Sequence, residues 1–472
     1  MNYISTRGHS DALPFRETVM AGMAPDGGLY LPERIPQVAE RLAEWRLLDY
    51  PALCAQVMAP FIGDELSART LEQLIARAYA TFDDPRVTPL RQVGRVALVE
   101  LFHGPTLAFK DVALQFLGNL FEHELAQRGR RMTVVGATSG DTGSAAIQAL
   151  RGKTGVEVFI LYPQGRVSPM QERQMTTVPD ANIHAIAIEG SFDDAQAIVK
   201  ALFADRAFNA RYGLGAVNSI NWARVLAQIV YFFYAYLRLA SDDGPTGRPV
   251  IALGDPVRFA VPTGNFGHIF AGYVARRMGL PIERLILATN ANDILHRFVQ
   301  SGVYAKGPVV QTLSPSMDIQ VASNFERYLF ELADRDAALL GAWLEEFGAH
   351  GSLRVDAANA ERLRGDFVSV AVDDAQTRET IAQVYREHGY LLDPHSAIGY
   401  RAAQAHEEPA LPMVAMATAH PAKFAAAINA AIGRPPELPP ALAALAELPT
   451  RRTVLPAHID AVRAHITATV SG

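Results

Sequence analysis

Lysine is scarce in this chain, although basic residues as a class are not. Of the 43 lysines and arginines in 472 residues, only five are lysines, at positions 110, 153, 200, 306 and 423. No run of more than two basic residues occurs, and the formal net charge is -6. Proteins that bind nucleic acid or anionic membranes usually carry a concentrated basic patch. We therefore expect no nucleic-acid or membrane partner, and a small molecule as the ligand.

Cysteine and long apolar runs are equally sparse. Cys54 is the single cysteine, which excludes an intrachain disulfide framework and a thiolate metal cluster. The longest strongly apolar run, residues 225–237, is shorter than the ~20 residues that span a bilayer, so it predicts a buried helix. The first residues lack the apolar core of a secretory signal. These features favour a compact, soluble protein of the cytoplasm.

Strand, glycine turn and helix patterns alternate along most of the chain. The segment 132-MTVVGATSGDTGSAAIQAL-150 has this order and is followed by the strand-like 156-VEVFILYP-163. The same order recurs over residues 183–205 and 258–290. Such repetition predicts an α/β protein whose parallel sheets are covered by helices on both faces. The first ninety residues have a different pattern, which predicts a small, mainly helical unit.

Two glycine-rich turns follow predicted strands and precede predicted helices. They are 136-GATSGDTGS-144 and 263-TGNFGH-268, and backbone N–H groups at such helix starts bind phosphate or carboxylate. The first turn also offers the hydroxyls of Ser139 and Thr142. Neither turn has the lysine of a Walker A loop, which disfavours ATP. Each turn taken alone also fits a purely structural role in packing a strand against a helix.

Lys110 stands in the apolar segment 107-LAFKDVAL-114. Removal from water favours the neutral amine, which attacks carbonyls and forms Schiff bases. A lysine that extends to the surface or pairs with Asp111 is the alternative. A Schiff-base lysine together with two anion sites matches pyridoxal phosphate. Thr418, at the end of the apolar run 411–418, offers a neutral hydroxyl partner for the ring nitrogen, although a purely structural strand-end threonine fits equally well.

The motifs identify a family. The stretches 101-LFHGPTLAFKD-111, 135-VGATSGDTGSAA-146, 217-VNSINWARVLAQ-228 and 322-ASNFERY-328 resemble threonine synthase of the group found in fungi and many bacteria. So do 3-YISTRG-8 and 26-DGGLYLP-32. The resemblance spans nearly the whole chain. It implies the fold-type II pyridoxal phosphate architecture, similar to the tryptophan synthase β chain, with two α/β domains and an added amino-terminal domain.

The resemblance also implies how the chain is divided. Residues 1–90 would form the amino-terminal domain, and residues 91–430 the cofactor-binding region, with its smaller domain around 100–220. Residues 431–472 would form a helical tail. The oligomeric state expected for this group is a monomer or a homodimer.

The resemblance further assigns a reaction and a set of residues. O-phospho-L-homoserine and water would become L-threonine and orthophosphate. Lys110 would hold the cofactor and then move protons. The cofactor phosphate would bind Gly264, Asn265, Phe266 and Gly267, and Thr418 would face the ring nitrogen. The substrate-binding loop would run from Thr138 to Thr142 and hold the substrate carboxylate through backbone N–H groups with Ser139 and Thr142, and Asp141 would lie near the cofactor oxygen. The substrate phosphate would bind Ser323, Asn324 and Arg327.

Several alternatives stay open at this point. Asn221, Arg224 and Lys423 are further candidates for the substrate phosphate, and structural pairing is as good an explanation for Arg224 and Arg327. His103 and His420 lie in motif segments and fit either a site-lining or a buried role. The thirteen histidines show no metal-binding spacing, so no metal is expected. Rival functions are a phospholyase that yields 2-oxobutyrate, a non-catalytic metabolite-binding regulator and a nucleotide-binding protein.

Overall fold

The structure is a computed structural model that describes residues 1–470. Its strands, in chain order, are β1 (Asn2–Ser5), β2 (Leu13–Pro14), β3 (Tyr30–Pro32), β4 (Leu90–Val93), β5 (Val96–Glu100), β6 (Met132–Ala137), β7 (Val156–Pro163), β8 (Ile183–Glu189), β9 (Leu214–Gly215), β10 (Val257–Pro262), β11 (Ile282–Thr289), β12 (Val303–Ala305), β13 (Ser352–Arg354), β14 (Phe367–Ala371), β15 (Met413–Ala417) and β16 (Thr453–Pro456).

The α-helices, again in chain order, are α1 (Phe15–Ala21), α2 (Leu42–Trp45), α3 (Tyr50–Ile62), α4 (Ala68–Tyr79), α5 (Lys110–Arg128), α6 (Asp141–Leu150), α7 (Pro169–Thr176), α8 (Phe192–Ala204), α9 (Arg206–Tyr212), α10 (Trp222–Leu239), α11 (Gly267–Arg277), α12 (Ile294–Ser301), α13 (Phe325–Leu332), α14 (Ala337–His350), α15 (Ala357–Asp366), α16 (Asp374–His388), α17 (Pro394–Ala405), α18 (Ala425–Ile432), α19 (Pro440–Ala443) and α20 (Ile459–Val470).

The chain forms two compact units. The first unit comprises residues 1–75, 82–103 and 219–436. Its main sheet has the strand order β14-β11-β10-β15-β5-β4, and all neighbours are parallel except the edge strand β4. Side chains of β10, β11, β15 and β5 pack against α16 and α17 in its core. Parallel strands need helical crossovers, and helices on the sheet faces follow from that connection.

The second unit comprises residues 76–81, 104–218 and 437–472, as far as the structure describes them. Its parallel sheet has the order β16-β8-β7-β6-β9. Its core joins apolar side chains of β7 and β8 to those of α8 and α20. The predicted βαβ unit is confirmed as β6, α6 and β7, with β6 and β7 paired in parallel from Met132–Val156 to Ala137–Leu161.

The predicted buried helix is also confirmed. It is α10, and all eighteen of its residues are buried. Most residues of α10 are apolar, as expected for an interior helix, and α10 packs against α3 and α11 within the first unit. No helix within residues 1–470 is both long and apolar enough to cross a membrane.

The chain termini differ from the expected helical patterns. The first ninety residues contain α1 to α4, as expected for a mainly helical region, but they also contain the antiparallel sheet β2-β1-β3. The predicted helical tail contains α19 and α20 and also β16, which pairs with β8. Two- to four-residue strands carry too few residues for a readable alternation, which is why the sequence did not predict them. Residues 471 and 472 of the predicted tail lie outside the described residues.

Helices α5 and α6 touch through a glycine. A Cβ atom placed on Gly118 of α5 would lie 2.3 Å from the carbonyl oxygen of Ala149 in α6. Real Cβ atoms do not approach oxygen so closely, so any side chain at position 118 would push the two helices apart. The contact matters for function because α5 begins at Lys110 and α6 begins at Asp141.

We expect Gly118→Ala to lower the free energy of unfolding by about 1–3 kcal/mol, the usual cost of overpacking. Urea unfolding followed by circular dichroism measures this change. Gly341→Ala in α14 is the matched control, because a Cβ at that position meets no atom within 4 Å. The control should be neutral or stabilising, by up to about 1 kcal/mol, since alanine favours helices. Equal effects of the two substitutions would contradict the packing argument.

Candidate active site

Lys110 is the first residue of α5, and a folded loop leads into it. The carboxylate of Asp111 accepts hydrogen bonds from the backbone N–H and the hydroxyl of Thr106, both over 2.8 Å. Leu107 in this loop has a φ of +56°, which is rare for a residue with a side chain. The loop is therefore held by Asp111, and it places the lysine at the start of the helix.

The Lys110 side chain lies in a largely apolar place. The residue is 8% exposed, and Nζ lies 5.0 Å from the ring centre of Phe109. A cation at a helix N-terminus is disfavoured by the helix dipole, and burial disfavours it further. Oδ2 of Asp141, at the start of α6, lies 3.8 Å from Nζ and opposes both effects. A buried amine with a carboxylate beside it is the arrangement expected of a group that exchanges protons with a ligand.

The turn between β6 and α6 lies beside Lys110 in the second unit. The Thr138 hydroxyl accepts hydrogen bonds from the N–H groups of Gly140 and Gly143, over 3.0 and 2.8 Å. The hydroxyls of Ser139 and Thr142 make no hydrogen bond within the described chain and are partly exposed. Thr138 thus shapes the turn, whereas Ser139 and Thr142 are available to a ligand.

In the first unit, the turn between β10 and α11 has backbone N–H groups that donate no hydrogen bond within residues 1–470. No group within residues 1–470 accepts a hydrogen bond from the backbone N–H of Gly264, Asn265, Phe266 or Gly267. A Cβ on Gly264 would lie 2.8 Å from the carbonyl oxygen of Ser316, and one on Gly267 would lie 3.0 Å from Nδ2 of Asn324. The glycines are therefore required by close packing, and the donors remain free for an anion.

Phe266 gives this turn its shape. Its φ of +66° is left-handed and costs about 1–2 kcal/mol for a residue with a side chain. Its buried ring packs against Phe325, Tyr328 and Phe367, with ring centres 5.1, 5.8 and 5.8 Å away. Because burial of an aromatic ring stabilises by more than this strain costs, the cluster can hold the unusual backbone in place.

The structure brings two predicted substrate-phosphate residues to this turn. The hydroxyl of Ser323, which is exposed, lies 3.3 Å from Oδ1 of Asn265 and 3.2 Å from the Ser219 hydroxyl. The backbone N–H of Asn324 donates to the carbonyl oxygen of Asn265 over 3.0 Å. Ser323 and Asn324 are therefore direct neighbours of the predicted cofactor-phosphate turn.

Arg327 has a different placement. Its side chain is completely buried, and burial lowers its pKa to about 9. Nε donates to the carbonyl oxygen of Tyr30 over 3.0 Å, Nη2 to that of Ile220 over 2.6 Å, and Nη1 to Oδ1 of Asn324. All three nitrogens thus bind protein oxygens. This placement favours the structural role that the sequence left open.

The other phosphate candidates are buried as well. Asn221 caps α10 and donates to the carbonyl oxygen of Val19 over 2.8 Å. Arg224 is 4% exposed, and burial lowers its pKa to about 10. Lys423 is 1% exposed. Ser323 is therefore the only one of the six candidates that the structure places on the surface of its unit.

Thr418 directly follows β15, as predicted, and a buried network holds it. Its backbone N–H donates to the Ser396 hydroxyl over 2.8 Å, and that hydroxyl donates to Asp393. Nδ1 of His395 lies 2.8 Å from Asp393, and Nε2 of His395 accepts from the N–H of Ser316 over 3.3 Å. Asp393 thus connects Thr418 to the Ser316 backbone that packs on Gly264. Sequence reasoning did not single out this network.

Two histidines lie at the same edge of the sheet. Nδ1 of His103 lies 2.8 Å from Asp83, and Nε2 lies 3.0 Å from Glu100. Burial alone would lower the pKa of His103, but the hydrogen bonds to the two carboxylates outweigh it and raise the pKa. Burial lowers the pKa of His420, whose Nδ1 accepts from the N–H of Ala422. His103 is thus a bridge between carboxylates, and His420 is neutral at pH 7.

These residues meet the chemical needs of pyridoxal phosphate. A buried amine can hold its aldehyde carbon, free N–H donors at a helix start can hold its phosphate, and a strand-end hydroxyl can face its ring nitrogen. A family model described as "Pyridoxal-phosphate dependent enzyme" matches residues 82–341, which is more than half of the chain. The protein is therefore a pyridoxal phosphate-dependent enzyme.

Further similarities narrow this class. Models described as "Threonine synthase N terminus" and "Threonine synthase, C-terminal" match residues 2–79 and 396–466. Threonine synthase from Pseudomonas aeruginosa is 51% identical over 470 residues, covering 99% of this chain and 98% of that protein. The crystal structure of pyridoxal phosphate-bound threonine synthase from Brucella melitensis superimposes with a TM-score of 0.95 at 47% identity, covering 100% of both chains. The chain belongs to the threonine synthase family.

A more distant relative is also similar over most of its length. Human threonine synthase-like 2 is 38% identical over 462 residues, covering 96% of this chain and 94% of that protein. The predicted family, α/β fold class and cofactor are all confirmed by these similarities.

Arg327→Met should lower the free energy of unfolding by on the order of 3 kcal/mol without any ligand, because it leaves buried oxygens without donors. Chemical denaturation of the ligand-free protein measures this. Arg7→Met is the control, since Arg7 pairs with Glu326 near the surface and such pairs contribute less than about 1 kcal/mol. A variant with normal stability and weakened substrate binding would instead restore Arg327 as a phosphate ligand.

The pH dependence of the free energy of unfolding should show whether His103 bridges Asp83 and Glu100. Because its pKa is raised in the folded state, its stabilisation is complete below the ordinary histidine pKa of about 6.5 and is lost as pH rises through the folded value. The difference between wild type and His103→Gln should therefore be largest near pH 5–6 and shrink at higher pH.

His184→Gln is the matched control for that experiment. Burial lowers the pKa of His184, so its contribution changes with pH in the opposite direction. Unfolding midpoints in urea, measured between about pH 5 and 9, give both trends. Parallel trends for the two variants would refute the assignment of His103.

Proposed function

We propose that this enzyme converts O-phospho-L-homoserine and water into L-threonine and orthophosphate. The observation that carries the proposal is the buried amine of Lys110 beside Asp141, in a chain that is similar to threonine synthases over its whole length. The substrate-side turn at residues 138–142 and the anion cradle at residues 264–267 supply the two kinds of binding group that a phosphorylated amino acid and a phosphorylated cofactor require.

Lys110 acts both as anchor and as base. When bound, pyridoxal phosphate supplies an electron sink that acidifies the carbons next to the substrate's amino group. Nζ of Lys110 would hold the cofactor, and the amine would accept the proton from the substrate's α-carbon. Its low exposure keeps water away from this proton transfer. Asp141, 3.8 Å from Nζ, stabilises the amine when it is protonated.

The turn at residues 264–267 and Thr418 are proposed to hold the other polar groups of the cofactor. The N–H groups of Gly264, Asn265, Phe266 and Gly267 bind its phosphate, and the dipole of α11 favours that charge. The Thr418 hydroxyl faces the ring nitrogen. A hydroxyl at this position would stabilise a protonated ring less than a carboxylate would.

Two groups of residues are proposed to bind the substrate. Ser139, Thr142 and the N–H groups of their turn bind the substrate carboxylate, and Thr138 and Asp141 hold that turn and the lysine in position. Ser323 and Asn324 bind the substrate phosphate. Arg327 contributes through Asn324, whose side-chain oxygen it contacts.

We propose the predicted domain division for the chain as well. It comprises an amino-terminal domain over residues 1–90, a cofactor-binding region over 91–430 with its smaller domain around 100–220, and a tail over 431–472. The family match to residues 2–79 supports the first of these. The enzyme works in the cytoplasm as a monomer or homodimer, with a small-molecule substrate and neither a nucleic-acid nor a membrane partner.

Product analysis tests the reaction directly. Cofactor-loaded protein is mixed with O-phospho-L-homoserine, and phosphate, threonine and 2-oxobutyrate are measured together. We expect threonine to appear in step with phosphate. Phosphate accompanied by 2-oxobutyrate would make the protein a phospholyase, and absence of phosphate release would refute the substrate assignment. The higher identity to threonine synthase than to threonine synthase-like 2 favours the first outcome.

Lys110→Ala should reduce turnover by at least about 10²–10⁴-fold, the usual contribution of a positioned acid or base. Borohydride should attach the cofactor permanently to the wild-type peptide that contains Lys110, and mass spectrometry of the peptides detects this. Lys200→Ala is the control, because Lys200 is an exposed lysine of α8. Full turnover by a folded Lys110→Ala protein would contradict the assignment.

A further inference from the structure

Helix α7 carries two buried glutamines that the sequence did not single out. Gln171 and Gln174 are only 2% and 3% exposed, and their spacing of three residues puts them on one face of the helix. Nε2 of Gln171 donates to Oδ1 of Asp141 over 2.9 Å, and Nε2 of Gln174 donates to the carbonyl oxygen of Thr106 over 3.0 Å. One face of α7 therefore contacts both the loop before Lys110 and the carboxylate beside its amine.

The orientation of the Gln171 amide is defined by the start of its own helix. Its Oε1 accepts from the N–H of Ser168 over 3.3 Å, and the Ser168 hydroxyl accepts from the N–H of Gln171 over 3.2 Å. This reciprocal capping leaves Nε2 as the end that faces Asp141. Because an ionised carboxylate only accepts hydrogen bonds, Gln171 is a matched donor for Oδ1, and Oδ2 is left facing Nζ of Lys110.

The substrate-side turn is shaped around the same glutamine. Gly140 has a φ of +141°, and a Cβ there would lie 2.4 to 2.6 Å from the side-chain amide atoms of Gln171. Only glycine leaves room for this approach. The requirement for glycine in the turn thus comes partly from Gln171 and not only from a bound anion.

A segment far along the chain holds α7 in place. The Arg173 guanidinium donates to the carbonyl oxygen of Leu445 over 2.8 and 2.6 Å and to that of Ala446 over 2.7 Å. The N–H of Arg451 donates to the carbonyl oxygen of Thr176 over 2.6 Å. Arg452 pairs with Glu172, which also accepts from Tyr162 over 3.0 Å. Residues 445–452, here called the C-terminal segment, therefore bind α7 along its length.

We propose that Gln171 is a positioning residue for the reaction, which directs the Asp141 carboxylate toward the Lys110 amine, and that the C-terminal segment holds α7 where Gln171 can do so. The inference rests on the proposed role of Lys110. The other carboxylates nearby are already engaged, Asp111 by Thr106 and Glu172 by Tyr162 and Arg452. Without the Gln171 amide, the Asp141 carboxylate can rotate. Rotation changes the electrostatic stabilisation of the protonated Lys110 amine by that carboxylate.

Gln171→Met is the direct test, because methionine has a similar length and volume but donates no hydrogen bond. Gln148→Met in α6 is the matched control, since the Gln148 side chain is partly exposed and contacts Arg151. Both proteins are loaded with pyridoxal phosphate, and the absorbance of the bound cofactor is titrated with pH. We expect the midpoint to move by about half a pH unit or more in Gln171→Met and not in the control.

Turnover supplies the second readout. A carboxylate turned away from the amine should reduce kcat about tenfold to a hundredfold, the usual effect of a small misplacement, while KM stays close to the wild-type value. A Gln171→Met protein whose absorbance midpoint and kcat equal those of Gln148→Met, with only a lower melting temperature, would reduce Gln171 to a structural residue and overturn the proposal.

Arg173→Met tests the C-terminal segment and keeps Gln171 intact. Arg463→Met is its control, since it removes the same charge from α20, where Arg463 pairs with Asp205. We expect the Arg173 variant to shift the absorbance midpoint in the same direction as Gln171→Met. If Gln171→Met does not fold, the Arg173 variant decides: a shift supports the proposal, and an unchanged midpoint overturns it.

The two proposals fail in different ways. The absorbance titration needs bound cofactor but no substrate. A shifted midpoint in an enzyme that releases no phosphate would therefore refute the proposed reaction and leave the positioning role intact.

Discussion

The burial of one amine at the start of a helix is the constraint on which the rest of the site depends. Lys110 combines two unfavourable conditions for a cation, low exposure and a helix N-terminus, with one favourable condition, the Asp141 carboxylate 3.8 Å away. The effect of the carboxylate on the amine depends on the distance between them, and therefore on how far these atoms can move. The loop fixed by Asp111, the contact of Gly118 with Ala149 and the glutamines of α7 all restrict that movement.

In the first unit, the constraint is that backbone N–H donors must be held in place and remain available to a ligand. Four successive N–H groups at residues 264–267 stay without partners inside the described chain. The aromatic cluster around Phe266 offsets the strain of that backbone. Asp393 connects Thr418, through Ser396, and the Ser316 backbone beside the turn, through His395. A polar network buried this deeply is rigid when every member is satisfied, so the two groups proposed to hold the cofactor keep a fixed spacing.

Buried charge does not identify function by itself in this protein. Arg327 and Lys110 are both nearly inaccessible, yet Arg327 uses each of its three nitrogens to join Tyr30, Ile220 and Asn324. It supports the site indirectly, through its hydrogen bond to Asn324. Lys110 is set apart by its position at a helix start between a folded loop and a substrate-side turn. The sequence motifs thus contain two kinds of residue. Lys110 is proposed to contact the ligand, whereas Arg327 holds a neighbouring residue in place.

The sequence by itself determined the α/β class, the family and most of the longer elements, and it predicted a set of candidate site residues. Lys110 stood out because a rare lysine occurred in an apolar run, and the two turns because glycines followed strands. The tertiary structure alone decided which distant groups meet: Gln171 with Asp141, the C-terminal segment with α7, and Arg327 with Tyr30, 297 residues away. Local patterns encode whether a segment is a helix or a strand. They do not encode which side chain faces which across a packed interface, because that depends on how all the elements fill the core together.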